Sequence, residues 1–386
     1  MVFIGNICCS LGNYELSWLR GRCKTKRNRF TIEEVYCEKA CKLVFENRDA
    51  GRHNGGAAMA DDKPVRWKVQ SWFPTKLPHV GTQITDISKK VKAVSGNNIQ
   101  FQVFEPGALI PPAECFDAVS NGAVNACWGI SGYYYGKHPA LAIYSAVPFG
   151  PQWPEMLAFF YYGGGKEQYE EIYAKNNIKG IMCGGTVSEA SGWFREEITS
   201  VDDLAGLKMR IFGLGAKVVE KLGVSAQLIP AGDIYPALEL GTIDAAEFAM
   251  PAVDLQLGFH QVAKHYYFPG WHQPATLYEL IINMDKWKEL SKTQQAQIEM
   301  MCGDNVRQAI AEGEAKQAAA LKSIEEKGVT AHEWPPEIIQ AFRDAWEEVV
   351  VEESANYPEF KQAYEQYAKF REEYKPWREL STVKDQ

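Results

Sequence analysis

The sequence predicts an α/β protein built as two lobes with a hinged cleft between them and long C-terminal helices. Strand-like and helix-like periods alternate through residues 66–130 and again through 178–248, and from residue 291 onward the pattern is helical. Alternation of this kind gives a parallel sheet with crossover helices.

Residues 66–73 (RWKVQSWF) alternate polar and apolar, the period of a first strand. Residues 78–95 place Val80, Ile84, Ile87, Val91 and Val94 at spacings of 4, 3, 4 and 3, an amphipathic helix that Gly96-Asn97-Asn98 stops. A second strand alternates over 99–105, Pro111-Pro112 opens a short helix, and 124–130 reads as a third strand. The second half repeats the theme. Strands are expected at 178–184, 207–212, 224–229 and 243–248, with helices at 216–222, before Gly223, and at 233–239, before Gly241. Late strands at 275–283 and 329–334 are expected to return to the first lobe. The predicted lobes are then 61–180, with returning segments about 275–335, and 181–274, followed by a helical tail over 336–386. Within the tail, Phe360, Tyr364, Tyr367, Phe370, Tyr374 and Trp377 share one helix face. Two readings stay open for this stripe, packing on its own core or on a second subunit, and a homodimer is the expected assembly.

Of 386 residues, 46% are hydrophobic and 23% charged, which excludes disorder for most of the chain. No run approaches the roughly 18 apolar residues of a membrane span. The net charge of −8 argues against nucleic acid as a partner. Cys115, Cys127, Cys183 and Cys302 are scattered and read as small buried residues, neither a zinc site nor a disulfide frame. In the N-terminal region, Cys37-x-x-x-Cys41 with Cys8-Cys9 is a lesser metal-binding alternative.

Catalytic templates are missing. There is no Gly-x-Ser-x-Gly, no His-Glu-x-x-His and no phosphate loop ending in Gly-Lys-Ser/Thr. Gly213-Leu214-Gly215 lacks the third glycine of a dinucleotide fingerprint, since Val218 stands there, and reads as a tight turn. The seven histidines form no metal-spaced pair; His260 and His265 are five apart, wrong for one helix face. Arg210 stands out because it lies between Met209 and Ile211, near the carboxyl end of an expected strand. A guanidinium there is costly unless paired, and carboxyl ends of parallel strands are where such folds bind ligands. Glu247 holds the matching place on another strand. The two residues either neutralise each other, or Arg210 forks onto a ligand carboxylate while Glu247 holds a hard cation shared with it.

At these residues the chain becomes recognisable. SVDDLAGLKMR at 200–210 and AGDIYPALELGTIDAAE at 231–247 closely resemble the solute-binding receptors of TRAP transporters (tripartite ATP-independent periplasmic transporters), and most of all their 2-oxo-acid-binding branch. Gly-Trp-Phe-Arg at 192–195 and a Tyr-Tyr-Phe-Pro-Gly-Trp run at 266–271 carry the same resemblance, which covers about 64–380. It implies a two-lobed periplasmic binding protein fold whose cleft closes on a small organic acid. It also implies delivery to the small and large membrane permease subunits, and binding in place of catalysis. By the resemblance, Arg210 pairs with the solute carboxylate, and Glu247 binds Ca²⁺ or Na⁺ together with the Phe248 carbonyl. A branch Gln aligns with Glu189 and a branch Glu with Gln273, so Glu189 is expected to bind the solute and Gln273 both solute and metal. A first-lobe tyrosine falls among Tyr133–Tyr135, with Tyr134 the choice; Phe248 adds to the aromatic walls, and Trp193 either joins them or packs in the core.

With Glu189, Glu247, Arg210 and a bound carboxylate the site totals −2, a buried excess that Ca²⁺ would balance and Na⁺ would halve. The expected function is therefore reception of a metal-bridged 2-oxo or 2-hydroxy monocarboxylate. A receptor for a different organic acid, a dicarboxylate or an aromatic acid, is the main alternative. A sensor subunit and an oxo-acid enzyme are lesser ones.

Residues 1–60 form an atypical segment, expected to lie outside the mature fold. They hold ten Lys/Arg against six Asp/Glu, a balance of +4, whereas the rest of the chain carries −12. The basic cluster at 20–29 reads as a solvated arm ahead of any RNA or membrane contact. Ala58-Met59-Ala60 looks like a signal peptidase site, but the apolar core that should precede it is missing. A periplasmic destination is expected, with the upstream signal lost or misread in this sequence. N-terminal sequencing of the native protein should give a mature start near Asp61; a start near Met1 would refute this.

Overall fold

Two sheets organise residues 62–381, the part of the chain that the computed structural model describes. The expectations for residues 1–61, the cleavage-like site, the basic cluster and the five early cysteines, lie outside the described residues. The strands are β1 (Val65–Ser71), β2 (Ile99–Phe104), β3 (Ala126–Gly129), β4 (Ile178–Thr186), β5 (Gly192–Phe194), β6 (Lys208–Arg210), β7 (Ser225–Gln227), β8 (Ala245–Ala246), β9 (His265–Phe268), β10 (Thr276–Asn283) and β11 (Thr330–Glu333). The first sheet runs β2-β1-β3-β10-β4 and the second β11-β9-β5-β8-β6-β7.

Both sheets are mixed, where uniform parallel pairing was expected. β10 is antiparallel to β3 and β4, and β5 is antiparallel to β8 and β9. Each of these strands arrives from the other lobe. It enters its sheet at the carboxyl ends of its neighbours and must run against them. The passage out of the first sheet falls at 187–191, because β4 continues to Thr186; a lobe boundary at 180 would cut that strand. The late strand at 329–334 also differs from expectation. β11 pairs in parallel with β9 of the second sheet and does not return to the first. The reason is the 34-residue helix Lys292–Glu325 before it, which at 1.5 Å per residue is about 50 Å long and carries the chain from one lobe to the other. That helix starts at the capping box of Ser291 and Gln294, in which Gln294 N–H donates to Ser291 Oγ at 3.1 Å and Ser291 N–H to Gln294 Oε1 at 3.0 Å.

The four downstream cysteines were expected to be isolated. They form two disulfides, Cys115–Cys127 and Cys183–Cys302. The first ties the helix Cys115–Ser120 to β3, and the second ties β4 to the long helix. Partners 12 and 119 residues apart give no sequence signal, since only the fold brings them together.

The helix Thr82–Val94 buries Ile84, Ile87 and Val91, the face that its spacing marks. The tail consists of helices Pro336–Asn356 and Pro358–Ser381. Its aromatic stripe divides between the two open readings. Phe360 and Tyr367 are buried on the chain's own core, while Trp377 is 63% exposed. Buried Glu155 anchors the last helix by accepting from Arg371 at 3.1 Å and Arg378 at 2.9 Å. No described helix is long and apolar enough to cross a membrane.

On the buried side of β10, Glu279 accepts from the hydroxyls of Tyr169 at 2.5 Å and Tyr173 at 2.7 Å. Burial outweighs both bonds and raises its carboxyl from 4.5 to about 7. The folded state therefore binds this proton more tightly than the unfolded chain. Its contribution to stability is complete below about pH 4.5 and is lost as pH rises through about 7. The stability difference between the parent protein and Glu279→Gln should shift by about 2–3 kcal/mol between pH 5 and 8, favouring the parent at acid pH. Denaturant titration at both pH values measures it, and a pH-independent difference would refute the assignment.

Candidate ligand-binding site

Arg210 ends β6 and Glu247 follows the last residue of β8, so neighbouring strands deliver the pair side by side. Backbone pairing fixes the register, with Glu247 N–H donating to the Arg210 carbonyl at 2.9 Å. Arg210 Nη1 donates to Glu247 Oε2 at 2.9 Å and to the Glu247 carbonyl, and Nε donates to the Ile229 carbonyl at 3.2 Å. Both side chains are buried. The guanidinium also lies over the Phe248 ring at 5.2 Å and the Phe212 ring at 5.6 Å, within cation–π range of both.

Glu189 and Gln273 come from the two segments that cross between the sheets, and Glu189 N–H donates to the Gln273 carbonyl at 3.2 Å. The approach depends on Gly270, because a Cβ there would sit 2.1 Å from the Glu189 carbonyl oxygen. Glu189 Oε1 accepts from Thr186 Oγ1 at 2.6 Å and Thr276 Oγ1 at 3.1 Å. Gln273 Nε2 donates to that same Thr276 hydroxyl at 2.9 Å.

One carboxylate oxygen on each acid is left over. Glu189 Oε2, Glu247 Oε1 and Gln273 Oε1 are buried without a hydrogen-bond partner. His272 joins them, with Nε2 3.7 Å from Glu247 Oε1. Ligand atoms of Glu189, Glu247 and His272 all lie within 4.8 Å of one another. Buried acceptors are normally satisfied, so a cluster of unsatisfied oxygens is the signature of a place built for a cation or donor. Electrostatics agree. Burial, and then the Glu247 charge, raise Glu189 well above the carboxylate range. Burial acts the same way on Glu247, but Arg210 and His272 outweigh it and hold that carboxylate low. A third acid lies behind. Asp254 accepts from Trp193 Nε1 and Tyr266 Oη, both at 2.9 Å, and burial raises it to about 7.

The structure corrects one expected wall residue, Tyr134, and places Trp193 in the core. Tyr134 turns into the first lobe, where its hydroxyl accepts from Trp72 Nε1 at 3.2 Å. Its neighbour Tyr133 faces Arg210, and its ring meets Phe212 of the second lobe at 4.7 Å. Trp193 is fully buried in the second lobe, stacked 4.0 Å from Tyr266, and its work is to hold Asp254. Phe248 does reach the seam, meeting Phe73 of the first lobe at 6.5 Å. Sequence reasoning missed His272, Thr186 and Thr276. Only the position of His272 beside Gln273 pointed toward it.

A two-lobed α/β protein whose cleft ends in one buried guanidinium amid unpaired acceptors is a receptor for a small anion. Comparison with known proteins gives the same class. Residues 73–356 match the bacterial extracellular solute-binding proteins, family 7, and the chain belongs to this family, whose members act outside the cytoplasm. It is similar to the monocarboxylate 2-oxoacid-binding periplasmic protein of Nostoc sp., with 34% identity across 86% of this chain and 90% of the relative. A TRAP transporter solute-binding protein from Bordetella bronchiseptica superposes with a TM-score of 0.80 at 37% identity, covering 82% of this chain and 94% of that one. It is described as a mixed-occupancy dimer with copurified calcium and picolinate at one site. A TRAP periplasmic solute-binding protein from Pseudoalteromonas atlantica, with bound sodium and pyruvate, superposes with a TM-score of 0.79 at 30% identity, covering 83% and 100%. The family and these neighbours are binding proteins, and the fold is theirs.

Removing Arg210 would leave Glu247 buried without its partner, a penalty of about 3–5 kcal/mol in a closed cleft. Opening the lobes relieves it by hydration. Arg210→Ala should therefore raise the radius of gyration in solution X-ray scattering relative to the ligand-saturated parent; an equally compact variant would refute this account of what keeps the cleft shut.

Proposed function

We propose that this chain is the periplasmic receptor of a TRAP transporter and captures a 2-oxo or 2-hydroxy monocarboxylate bridged to Ca²⁺ or Na⁺. The observation that carries the reading is the set of unpaired buried oxygens on Glu189, Glu247 and Gln273 beside Arg210. These are hard donors, suited to Ca²⁺ or Na⁺, and they would hold the ion together with the Phe248 carbonyl. The ion supplies the positive charge that one guanidinium cannot. Arg210, already fixed in plane by Ile229 and Glu247, receives the acid's carboxylate. Tyr133 and Phe248 close over it from the two lobes. In the Nostoc relative the solute is a monocarboxylate 2-oxoacid, and in the Pseudoalteromonas structure it is pyruvate with sodium.

Charge supports one carboxylate over two. Arg210 is the only Arg or Lys among the buried described residues, so a second carboxylate would find no buried cationic side chain. Binding is followed by presentation of the closed form to the small and large permease subunits. A homodimer belongs to this reading, with the exposed end of the last helix, Trp377 and Leu380, as the surface a second copy would cover.

Stripping the protein of metal and ligand and rescreening small carboxylates by thermal shift tests the proposal. Pyruvate or lactate should stabilise only when Ca²⁺ or Na⁺ is present. At 100 times the dissociation constant the gain is about 2.7 kcal/mol. Glu247→Ala should abolish binding, whereas cation-independent stabilisation of the parent protein would remove the ion from the proposal.

A further inference from the structure

Beside the acceptor cluster lies a small pocket formed where the lobes meet. Gly132 and Ser145 line it from the first lobe, Phe212 and Gly215 from the second, and His272 and Gln273 from the crossing segment. It has room for about one water-sized group. Ser145 Oγ, His272 Nδ1 and Gln273 Oε1 are buried here without a hydrogen-bond partner.

The two glycines keep this space open. A Cβ on Gly132 would lie 2.9 Å from Ser145 Oγ and 3.1 Å from the Phe212 ring, and one on Gly215 would lie 3.0 Å from His272. Neither glycine has a positive φ, so their small size serves room and not backbone shape. Hard cations favour oxygen ligands, which leaves the His272 imidazole for hydrogen bonding. Because the walls come from both lobes, the pocket exists only when the cleft is closed. In the open form water satisfies Ser145 and His272. Closure around a bare acid leaves room for one immobilised water between Ser145 and His272, which a hydroxyl carried by the solute would replace, whereas a methyl there would leave both groups unpaired.

We propose that this pocket is a subsite for a hydroxyl carried on the carbon next to the 2-oxo or 2-hydroxy group. The preferred solute class is then a short hydroxylated acid, of which hydroxypyruvate and glycerate are representatives, ahead of pyruvate. Ser145 and His272 bond that hydroxyl, and the size of the pocket rejects aromatic or long-chain substituents. The inference rests on the reading that Arg210 and a cation hold the carboxylate.

Calorimetric titration of the metal-loaded protein with hydroxypyruvate, 2-oxobutyrate and pyruvate tests it, 2-oxobutyrate placing a methyl where the hydroxyl would sit. Hydroxypyruvate should bind at least about tenfold tighter than 2-oxobutyrate, and Ser145→Ala should bring that ratio down to about one. If 2-oxobutyrate binds as tightly as hydroxypyruvate, or if Ser145→Ala leaves the ratio intact, the subsite falls while the cation-bridged site stands. If none of the three acids binds with Ca²⁺ or Na⁺, both fall.

Discussion

Everything in the cleft depends on a charge imbalance that the closed protein cannot settle alone. One guanidinium faces two buried carboxyls, with a third behind Trp193. Isolated charges in a low-dielectric interior cost several kcal/mol each. Arg210 settles Glu247, and burial then forces Glu189 toward its neutral form. An incoming carboxylate adds another negative charge, which a cation has to offset. Ligand, ion and closure are coupled for this reason: each lowers the penalty on the others. A site that bound its acid through Arg210 alone would need no Glu247.

The groups of the cleft come from both lobes and from the segments that join them. Arg210 and Glu247 are fixed to each other by adjacent strand ends in the second sheet. Phe73 and Tyr133 belong to the first lobe and meet Phe248 and Phe212 only across the seam. Glu189 and Gln273 ride on the crossing segments, where any hinge motion must pass. Their mutual hydrogen bond, made possible by Gly270, lets the two segments move as one. The Cys183–Cys302 bridge lies just before this region and fastens the long helix to β4.

How far the sequence could be read follows from what is local. Periodicity located β1, β2, β3, β4, β10 and the long helices, because burial on one face leaves its mark within a single element; the short strands β5 and β9 and the helices Trp153–Tyr162, Gly165–Ala174 and Pro251–Leu257 were missed. Arg210 was legible because a guanidinium between Met209 and Ile211 is anomalous in any strand. The choice between Tyr133 and Tyr134 was not. They sit in a 3₁₀ turn, where successive side chains point about 120° apart, and the turn's starting residue decides which one faces the cleft. Trp193 stayed open between cleft wall and core for a related reason. It lies in a three-residue strand, where one step changes the face, and its indole N–H finds Asp254, sixty-one positions away. The destination of β11 and both disulfides are matters of tertiary connection. The length of the preceding helix fixes the first, and no spacing rule encodes the others.

The exchanged pair at 189 and 273 shows why residue identities here cannot be judged singly. Gln273 Nε2 donates to Thr276 Oγ1, and Thr276 Oγ1 donates to Glu189 Oε1. The chain of bonds has one direction, from an amide that can donate to a carboxylate that can only accept. The 2-oxo-acid branch that this sequence resembles carries Gln and Glu in the opposite order, and there the same threonine would have to turn its hydroxyl the other way. Two glutamates would leave Thr276 one proton for two acceptors, and would bury one more negative charge. Two glutamines would remove the charge that the cation needs. Only the paired exchange keeps one donor and one acceptor on either side of Thr276 together with the net charge. It shifts the negative charge from one crossing segment to the other and leaves Gln273 beside the pocket under Ser145. The charge that the proposed bridging cation would meet is thus preserved, while the polar groups beside it are rearranged.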